Sequence, residues 1–294
     1  MSGWFLLGAP WDCSGTGRGE AAAPSALRVA GLAELVDVDL GDAATHISTE
    51  DRDPVTGVRA LGDTVAAARA LASSLAAGLR DHPGLRPLVV GGDCTLLLGA
   101  FAHLRAAVGE VGLWYVDGHP DFADGSSSDT GETADLDLAV LTGDGPPDLV
   151  GLGGTVPMVA ARHVALIGHR TADLDPESAA ELARVPGDVF AVDAPAVLRD
   201  PAGAGRAAAA WGEGLGLSMW LHIDLDVLDQ AVLPAVTYPQ AGGPDFDQLA
   251  AALAPLAVSD RLLGVSVADF RPDLDGDGGH AARLVNLLDS VLKG

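Results

Sequence analysis

Short apolar segments alternate with turns and helix-like segments about eight times along this chain of 294 residues. Runs such as residues 88–90 and 164–167 consist mostly of Val, Leu and Ile and stop at glycine. Residues 61–80 are instead rich in Ala and Leu and predict a long helix, and residues 96–107 predict another. Residues 34–40 alternate like a strand. Such alternation is typical of a mostly parallel sheet with helices on both faces. We therefore predict an α/β fold with three layers, α/β/α.

The size and composition fit one domain over residues 1–294. Hydrophobic residues make up 48% of the chain and aromatic residues only 4%, so the core must be built largely from Ala, Val and Leu. Two cysteines, Cys13 and Cys94, are too few for a disulfide framework and fit a reducing compartment. The first residues lack the basic region and the long apolar run of a signal peptide or membrane span. We expect a cytoplasmic protein.

The charge balance narrows the range of partners. The formal net charge is −24, with 41 acidic against 17 basic residues. Nucleic acid and anionic membrane surfaces would be repelled, because the sequence has no basic patch to offset phosphate charge. We therefore expect neither nucleic acid nor membrane as a partner.

Two acidic motifs follow strand-like runs and indicate a metal site. An Asp-x-His-x-Asp motif with Asp117, His119 and Asp121 follows residues 114–116, and Asp224 and Asp226 follow the apolar residues 217–221. Carboxyl ends of parallel strands meet at one edge of a sheet, so we expect these side chains to converge. Carboxylate oxygen and imidazole nitrogen are ligands for divalent metal ions.

Two further strand ends point to the same edge. Cys94 ends a Gly-Gly-Asp-Cys turn after residues 88–90, and Asp269 follows residues 262–267. Cys94 is either a metal ligand or a packed turn residue. His222 precedes the second acidic motif, and we expect it in the core or in support of a ligand, turned away from the acids by strand alternation.

Together, these motifs and residues 234–243 resemble the ureohydrolases, the family of arginase, agmatinase and formimidoylglutamase. The resemblance implies an eight-stranded α/β/α sheet and two Mn²⁺ ions per subunit. It also implies a homo-oligomer, a trimer or hexamer. Carried over by position, Asp117 and Asp224 bridge the ions, and the full ligand set is Cys94, Asp117, His119, Asp121, Asp224 and Asp226.

Some residues depart from the family pattern. Cys94 stands where the family usually has histidine, and a thiol must lose its proton to bind. That position then favours Zn²⁺ or Fe²⁺, binds Mn²⁺ weakly or stays empty. Asp269 replaces the glutamate of a Glu-x-Asn-Pro motif, and Ala134 stands where arginases carry a proton-shuttle histidine. His169, at a strand end, is our candidate for that shuttle.

The resemblance implies hydrolysis of a carbon–nitrogen bond in a small cationic guanidino or amidino compound, with release of urea or a similar product. Two ions that share a water lower its pKa, which makes the water a nucleophile toward the guanidino carbon. Asp121 and Asp269 join His169 as candidate catalytic residues, and Asp269, Asp175 and Glu132 are candidates for substrate binding. Two alternatives stay open: a binding or regulatory protein without hydrolase activity, and a repurposed metalloenzyme acting on a specialised metabolite.

Overall fold

Over residues 3–294, which the computed structural model describes, eight parallel strands form one sheet in the order β2-β1-β3-β8-β7-β4-β5-β6. The strands are β1 (Trp4–Ala9), β2 (Val38–Asp42), β3 (Arg86–Gly91), β4 (Val111–Val116), β5 (Val164–Ile167), β6 (Phe190–Val192), β7 (Ser218–Asp224) and β8 (Leu262–Ala268). The predicted α/β class and the eight-stranded sheet are confirmed. The sheet is parallel throughout.

The helices lie on both faces of this sheet. They are α1 (Ala23–Val29), α2 (Leu61–Asp81), α3 (Leu96–Ala107), α4 (Asp137–Leu141), α5 (Pro147–Val150), α6 (Pro176–Leu182), α7 (Ala194–Arg199), α8 (Pro201–Leu215), α9 (Phe246–Ala257) and α10 (Gly279–Leu292). Buried residues of α2–α5 pack on one face, and buried residues of α1 and α7–α10 pack on the other. No helix among residues 3–294 has the length and hydropathy needed to cross a membrane.

Strand alternation divides the core into two layers. Phe5 and Leu7 of β1 pack with α2 and α3, whereas Trp4 and Leu6 face the opposite helices. The second layer includes a close contact between α8 and α9, where a Cβ on Gly205 would lie 2.1 Å from the carbonyl oxygen of Ala252. Glycine therefore lets these two helices approach each other, although it lowers helix propensity.

The sequence pattern misplaced one strand boundary. We read residues 34–40 as an alternating strand, but Leu32–Leu35 form a short 3-10 helix and β2 begins only at Val38. Leu32 is fully buried, so packing of this turn against the core outweighs the alternation that follows it.

The order of the strands decides which loops meet. β3, β8, β7 and β4 are consecutive neighbours at the centre of the sheet. Their carboxyl ends lead into Cys94, Asp269, Asp224 and Asp117. The fold therefore gathers at one edge the acidic and thiol side chains that the sequence places far apart.

Candidate metal centre

The turn after β3 places Cys94 at the edge of the sheet. A Cβ on Gly92 would lie 1.6 Å from the carbonyl oxygen of Trp11, which belongs to the loop after β1. The two backbones are therefore too close for any residue larger than glycine at position 92. The carbonyl oxygen of Gly92 also accepts a hydrogen bond from the Asp269 N–H at 2.6 Å. This contact joins the ends of β3 and β8.

The loop after β4 carries the Asp-x-His-x-Asp motif. The Asp117 carboxylate accepts the backbone N–H of His119 at 2.6 Å, which turns the chain directly after the strand. Asp121 has a φ of 48° and Asp269 a φ of 70°, values in the left-handed region that non-glycine residues rarely adopt. Backbone strain of this kind occurs where the surrounding structure holds a functional side chain in place.

The end of β7 supplies the second acidic pair and contacts the first motif. Asp224 accepts the backbone N–H of Asp226 at 2.9 Å. One oxygen of Asp226 accepts the Gly118 N–H at 3.1 Å, and its other oxygen lies 2.8 Å from Nδ1 of His119. The two motifs are thus linked by direct hydrogen bonds across neighbouring strands.

The possible ligand atoms form four groups, and within each group the atoms lie within 4.8 Å of one another. The groups are Cys94, Asp121 and Asp137; Asp117, His222 and Asp224; Asp117, His119 and Asp226; and Asp224, Asp226 and Asp269. All six residues that the resemblance implied as ligands occur in these groups, but the group of Cys94 and Asp121 shares no residue with the other three.

The raised pKa values of these carboxyl groups show that their negative charges are costly without a bound cation. Burial, reinforced by neighbouring carboxylates, raises the pKa of Asp117, Asp121 and Asp224 well above the ordinary value. One oxygen of Asp117 is buried without a hydrogen-bond partner among residues 3–294. Bringing these acids together costs free energy that a divalent ion offsets, and their oxygens with an imidazole and a thiol are suitable donors. The residues therefore fit the two-ion centre that the resemblance implied.

His119 and Asp226 behave as an ion pair within this centre. Burial alone would lower the pKa of His119, but the Asp226 carboxylate outweighs it and raises that pKa to about 9. The pKa of Asp226 is correspondingly lowered: burial opposes the shift, and the charge and hydrogen bond of His119 overcome it. To bind a metal ion, the imidazole must give up this proton, so binding competes with the pair.

Cys94 lies beside acids rather than beside a cation. Its sulfur lies 3.8 Å from the Asp121 carboxylate and 3.4 Å from the Ala134 carbonyl, so the single S–H hydrogen is donated to one of these two acceptors. Burial, followed by the charges of Asp137 and Asp121, raises the pKa of the thiol well above its ordinary value. Without a metal ion, Cys94 is therefore a protonated thiol and not a nucleophile.

A cavity of about 630 Å³ opens above the centre. Its lining contains ten acidic side chains and two arginines, Arg18 and Arg184. Cys94, His119, Asp121, Asp224, Asp226 and Asp269 form part of this lining. The cavity thus has a strongly negative interior, which attracts cations.

Of the candidate residues for substrate binding, Asp269 lines the cavity and Glu132 lies behind its wall. Asp269 lines it, and its carboxylate accepts the Thr237 N–H at 3.3 Å. Glu132 lies behind the wall, where it binds Arg18 at 2.8 Å and accepts the hydroxyl of Tyr238 at 3.2 Å. Both of these partners line the cavity.

Asp175 and His169 are not among the residues that line this cavity. The Asp175 carboxylate caps α6 by accepting the N–H groups of Glu177 and Ser178, both at 2.9 Å. His169 is buried, and burial lowers its pKa to about 4. Direct roles for Asp175 and His169 stay predictions that the cavity geometry does not support.

Sequence reasoning missed three residues of this region. The hydroxyl oxygen of Tyr115 lies 2.9 Å from the Asp137 carboxyl and also within hydrogen-bond distance of Asp121, so its single hydrogen is donated to one of the two. Tyr115 lies two residues before Asp117, so strand alternation was a usable signal. Asp137 is the first residue of α4, and the sequence around it contains no motif that indicates a metal site. Arg170 donates to several backbone carbonyls of the loop after β7, a contact that exists only in the folded chain.

His222 corrects one of our expectations. We expected strand alternation to turn it away from the acids, but His222 and Asp224 are two residues apart on β7 and share one face. Its ring nitrogen belongs to the same group as Asp117 and Asp224. The expectation was wrong because it miscounted the period of the strand.

Comparisons with known proteins agree with this geometry. The sequence is 30% identical to the arginase of Brevibacillus brevis over 298 residues, which cover 97% of this chain and 96% of that protein. The native structure of arginase from Bacillus caldovelox matches with a TM-score of 0.87 and 27% identity, covering 100% of this chain and 99% of the other. Formimidoylglutamase from Bacillus subtilis shares the fold, with a TM-score of 0.76 at 19% identity, covering 100% of this chain and 87% of the other.

The family assignment rests on nearly the whole chain. The model of the arginase family matches residues 2–292. The chain belongs to the arginase family.

Proposed function

We propose that this protein is a metal-dependent hydrolase that cleaves a linear carbon–nitrogen bond in a guanidino or amidino compound and releases urea or a similar product. The observation that carries the proposal is the convergence of four strand ends, which bring Cys94, Asp269, Asp224 and the Asp117 motif to one cavity. Family membership supports the same reaction class.

The centre would hold two divalent ions through the six ligands named above. Mn²⁺ is the ion we propose, with Zn²⁺ or Fe²⁺ as the alternative at the Cys94 position, because a thiolate prefers softer ions. When bound, such a pair supplies the Lewis acidity that makes water a nucleophile near neutral pH. Asp117 and Asp224 each belong to two of the four groups of possible ligands, as Asp226 also does, and the resemblance implies the first two as the ligands that both ions would share.

The protein's own residues then select and orient the substrate. The acidic lining stays formally negative after two divalent ions are bound, which favours a cationic substrate over a neutral or anionic one. We propose that the Asp269 carboxylate orients the cationic end of the substrate. Asp269 lines the cavity, and its carboxylate lies within 4.8 Å of ligand atoms of Asp224 and Asp226. Asp121 keeps a dual role as ligand and catalytic residue.

The departures from the family bear on substrate choice. Ala134 has no proton to transfer, and Arg18 with Tyr238 forms the part of the wall in front of Glu132. Arg18 is itself neutralised by ion pairs with Glu20 at 3.2 Å and Glu132 at 2.8 Å, so this wall adds no free positive charge to the negative cavity. We propose a guanidino compound other than arginine, in a cytoplasmic, homo-oligomeric, single-domain enzyme.

The proposal is tested by urea release from a panel of compounds that includes L-arginine, agmatine and smaller guanidino acids. The protein is loaded with Mn²⁺ and, in parallel, with Zn²⁺. We expect release from at least one compound and its loss in Asp224→Asn. Asp247→Asn is the matched control, because Asp247 is exposed on α9.

Retained metal without cleavage of any compound would reject the hydrolase. That result would favour the binding or regulatory alternative. Cleavage of a compound that releases neither urea nor the amide expected from an amidino substrate would favour the repurposed enzyme.

A further inference from the structure

His222 is a buried imidazole to which the proposed reaction assigns no role. It lies on β7 and is 0% exposed. Its Nε2 atom has no hydrogen-bond partner among the described residues 3–294. A buried polar atom without a partner costs free energy unless another species binds it.

The surroundings of His222 are acidic. A ring nitrogen of His222 and carboxylate oxygens of Asp117 and Asp224 all lie within 4.8 Å of one another. One oxygen of Asp117 is likewise buried without a partner within residues 3–294. His222 and Asp117 thus each have one unpartnered polar atom and belong to one close group of possible ligands, as expected of residues that bind a common cation.

The other ring nitrogen of His222 is held firmly. Nδ1 lies 2.8 Å from the hydroxyl oxygen of Ser266, its neighbour in the β7–β8 register. That oxygen also accepts the indole N–H of Trp220 at 2.9 Å. A hydroxyl oxygen has two lone pairs, so it can accept from both side chains and leave Nε2 with a free lone pair.

This arrangement is typical of histidine ligands in metal sites. Such histidines donate their second ring N–H to a neighbouring acceptor, which fixes the tautomer and the orientation of the ring. The ring of Tyr115 lies 5.2 Å from that of His222 and further restricts its rotation. The imidazole is therefore oriented before any ion arrives.

We propose that His222 is a metal ligand, binding a divalent ion through Nε2 together with Asp117 and Asp224. His222 then supplies the nitrogen donor that the Cys94 position lacks. Imidazole with carboxylates suits ions of the zinc and iron class, so we propose Zn²⁺ as the probe. The inference rests on the proposed metal centre but not on the identity of the substrate.

The first test compares metal affinity in matched variants. Bound zinc is measured after equilibrium dialysis of the wild type, His222→Gln and the control His163→Gln, which alters a buried histidine outside the cavity lining. We expect His222→Gln to weaken one of the two ions by about 100-fold or more. Ser266→Ala should weaken it by about 10–100-fold, as expected for a residue that orients a ligand. Wild-type affinity in His222→Gln would overturn the inference.

The second test needs no variant and therefore does not depend on folding of His222→Gln. A crystal structure of the zinc-loaded wild type locates the ions by anomalous scattering. An ion about 2.0–2.1 Å from Nε2 supports the inference. Ions bound by the carboxylates, with Nε2 turned away from them, would refute it.

The two proposals fail in different ways. Zinc bound through Nε2, without urea release from any compound, would reject the proposed function and leave the ligand assignment intact. A wild type that binds no divalent ion would reject both.

Discussion

Replacing Arg170 by alanine tests how the loop that carries Asp226 is held in place. Arg170 is only 8% exposed. Its guanidinium donates to Val227 at 2.8 Å, to Leu228 and Gly168 at 3.2 Å and to Asp226 at 3.3 Å. It also reaches the carbonyls of Gln240 and Ala241 at 3.4 and 3.3 Å. One side chain thus ties three backbone segments together.

The loss in the free energy of unfolding that we expect for Arg170→Ala follows from these contacts. Three of the bonds are 3.2 Å or shorter, and each is worth about 1 kcal/mol net, or more because the donor is charged. Removing the guanidinium also leaves buried carbonyls unpaired, although some of them will gain water. We expect Arg170→Ala to lower the free energy of unfolding by about 3–5 kcal/mol. Arg170→Lys should lose about half as much, because an ammonium has only three donors and no planar fork.

The assay is urea denaturation followed by circular dichroism, with metal affinity measured on the same samples. Arg162→Ala is the control, because Arg162 has 62% side-chain exposure and lies 3.9 Å from Glu110. It should change stability by less than about 0.5 kcal/mol. Arg170→Ala should also weaken metal binding by about 10–100-fold, since its loop positions Asp226. A stability loss below about 1 kcal/mol would refute this reasoning.

Three further outcomes are expected. Removing metal with a chelator should lower the melting temperature by about 9 °C, because two ions at 100-fold their dissociation constants together contribute about 5.4 kcal/mol and a chain of this length unfolds with an entropy of about 0.6 kcal/mol/K. An unchanged melting temperature in scanning calorimetry would contradict this. Cys94→His should raise Mn²⁺ affinity by about 10-fold in titration calorimetry, because a neutral imidazole replaces a thiol of raised pKa; unchanged affinity would remove Cys94 from the ligand set. Burial lowers the pKa of His169 in the folded protein to about 4. Between about pH 6.5 and pH 4 the unfolded chain therefore binds a proton at His169 that the folded protein does not bind, which destabilises the folded state as the pH falls. Wild type should therefore lose about 3 kcal/mol relative to His169→Gln between pH 7 and pH 4 in urea titrations, and parallel pH profiles would argue against it.

The fold was predictable because its strands are short apolar runs that stop at glycine or at acids. The helix predicted over residues 61–80 is observed as Leu61–Asp81, and the helix predicted from Leu96 to Ala107 has those bounds. We did not predict α8, because its glycines lower helix propensity. These glycines allow α8 to pack closely on α9, and that contact exists only in the folded chain. Local patterns report local preferences and not the neighbours that a residue will meet.

The candidate centre was predictable to a similar extent. The motifs around Asp117 and Asp224 indicated a shared site because carboxyl ends of parallel strands lie at one edge. Asp137 and Arg170 carried no such signal, since their roles come from loops that meet only after folding. His222 did carry one, because residues two apart on a strand share a face, and we misread it.

The position of β8 in the sheet has a consequence for biosynthesis. β8 lies between β3 and β7, so it is the strand that joins the Cys94 turn to the strands carrying the aspartates. It is also the last strand to be synthesised. During translation, the sheet lacks the strand that joins β3 to β7 until Leu262–Ala268 has been synthesised and has paired on both edges. A nascent chain therefore cannot capture both ions early, and truncation before this strand would abolish the centre while leaving every ligand in the polypeptide.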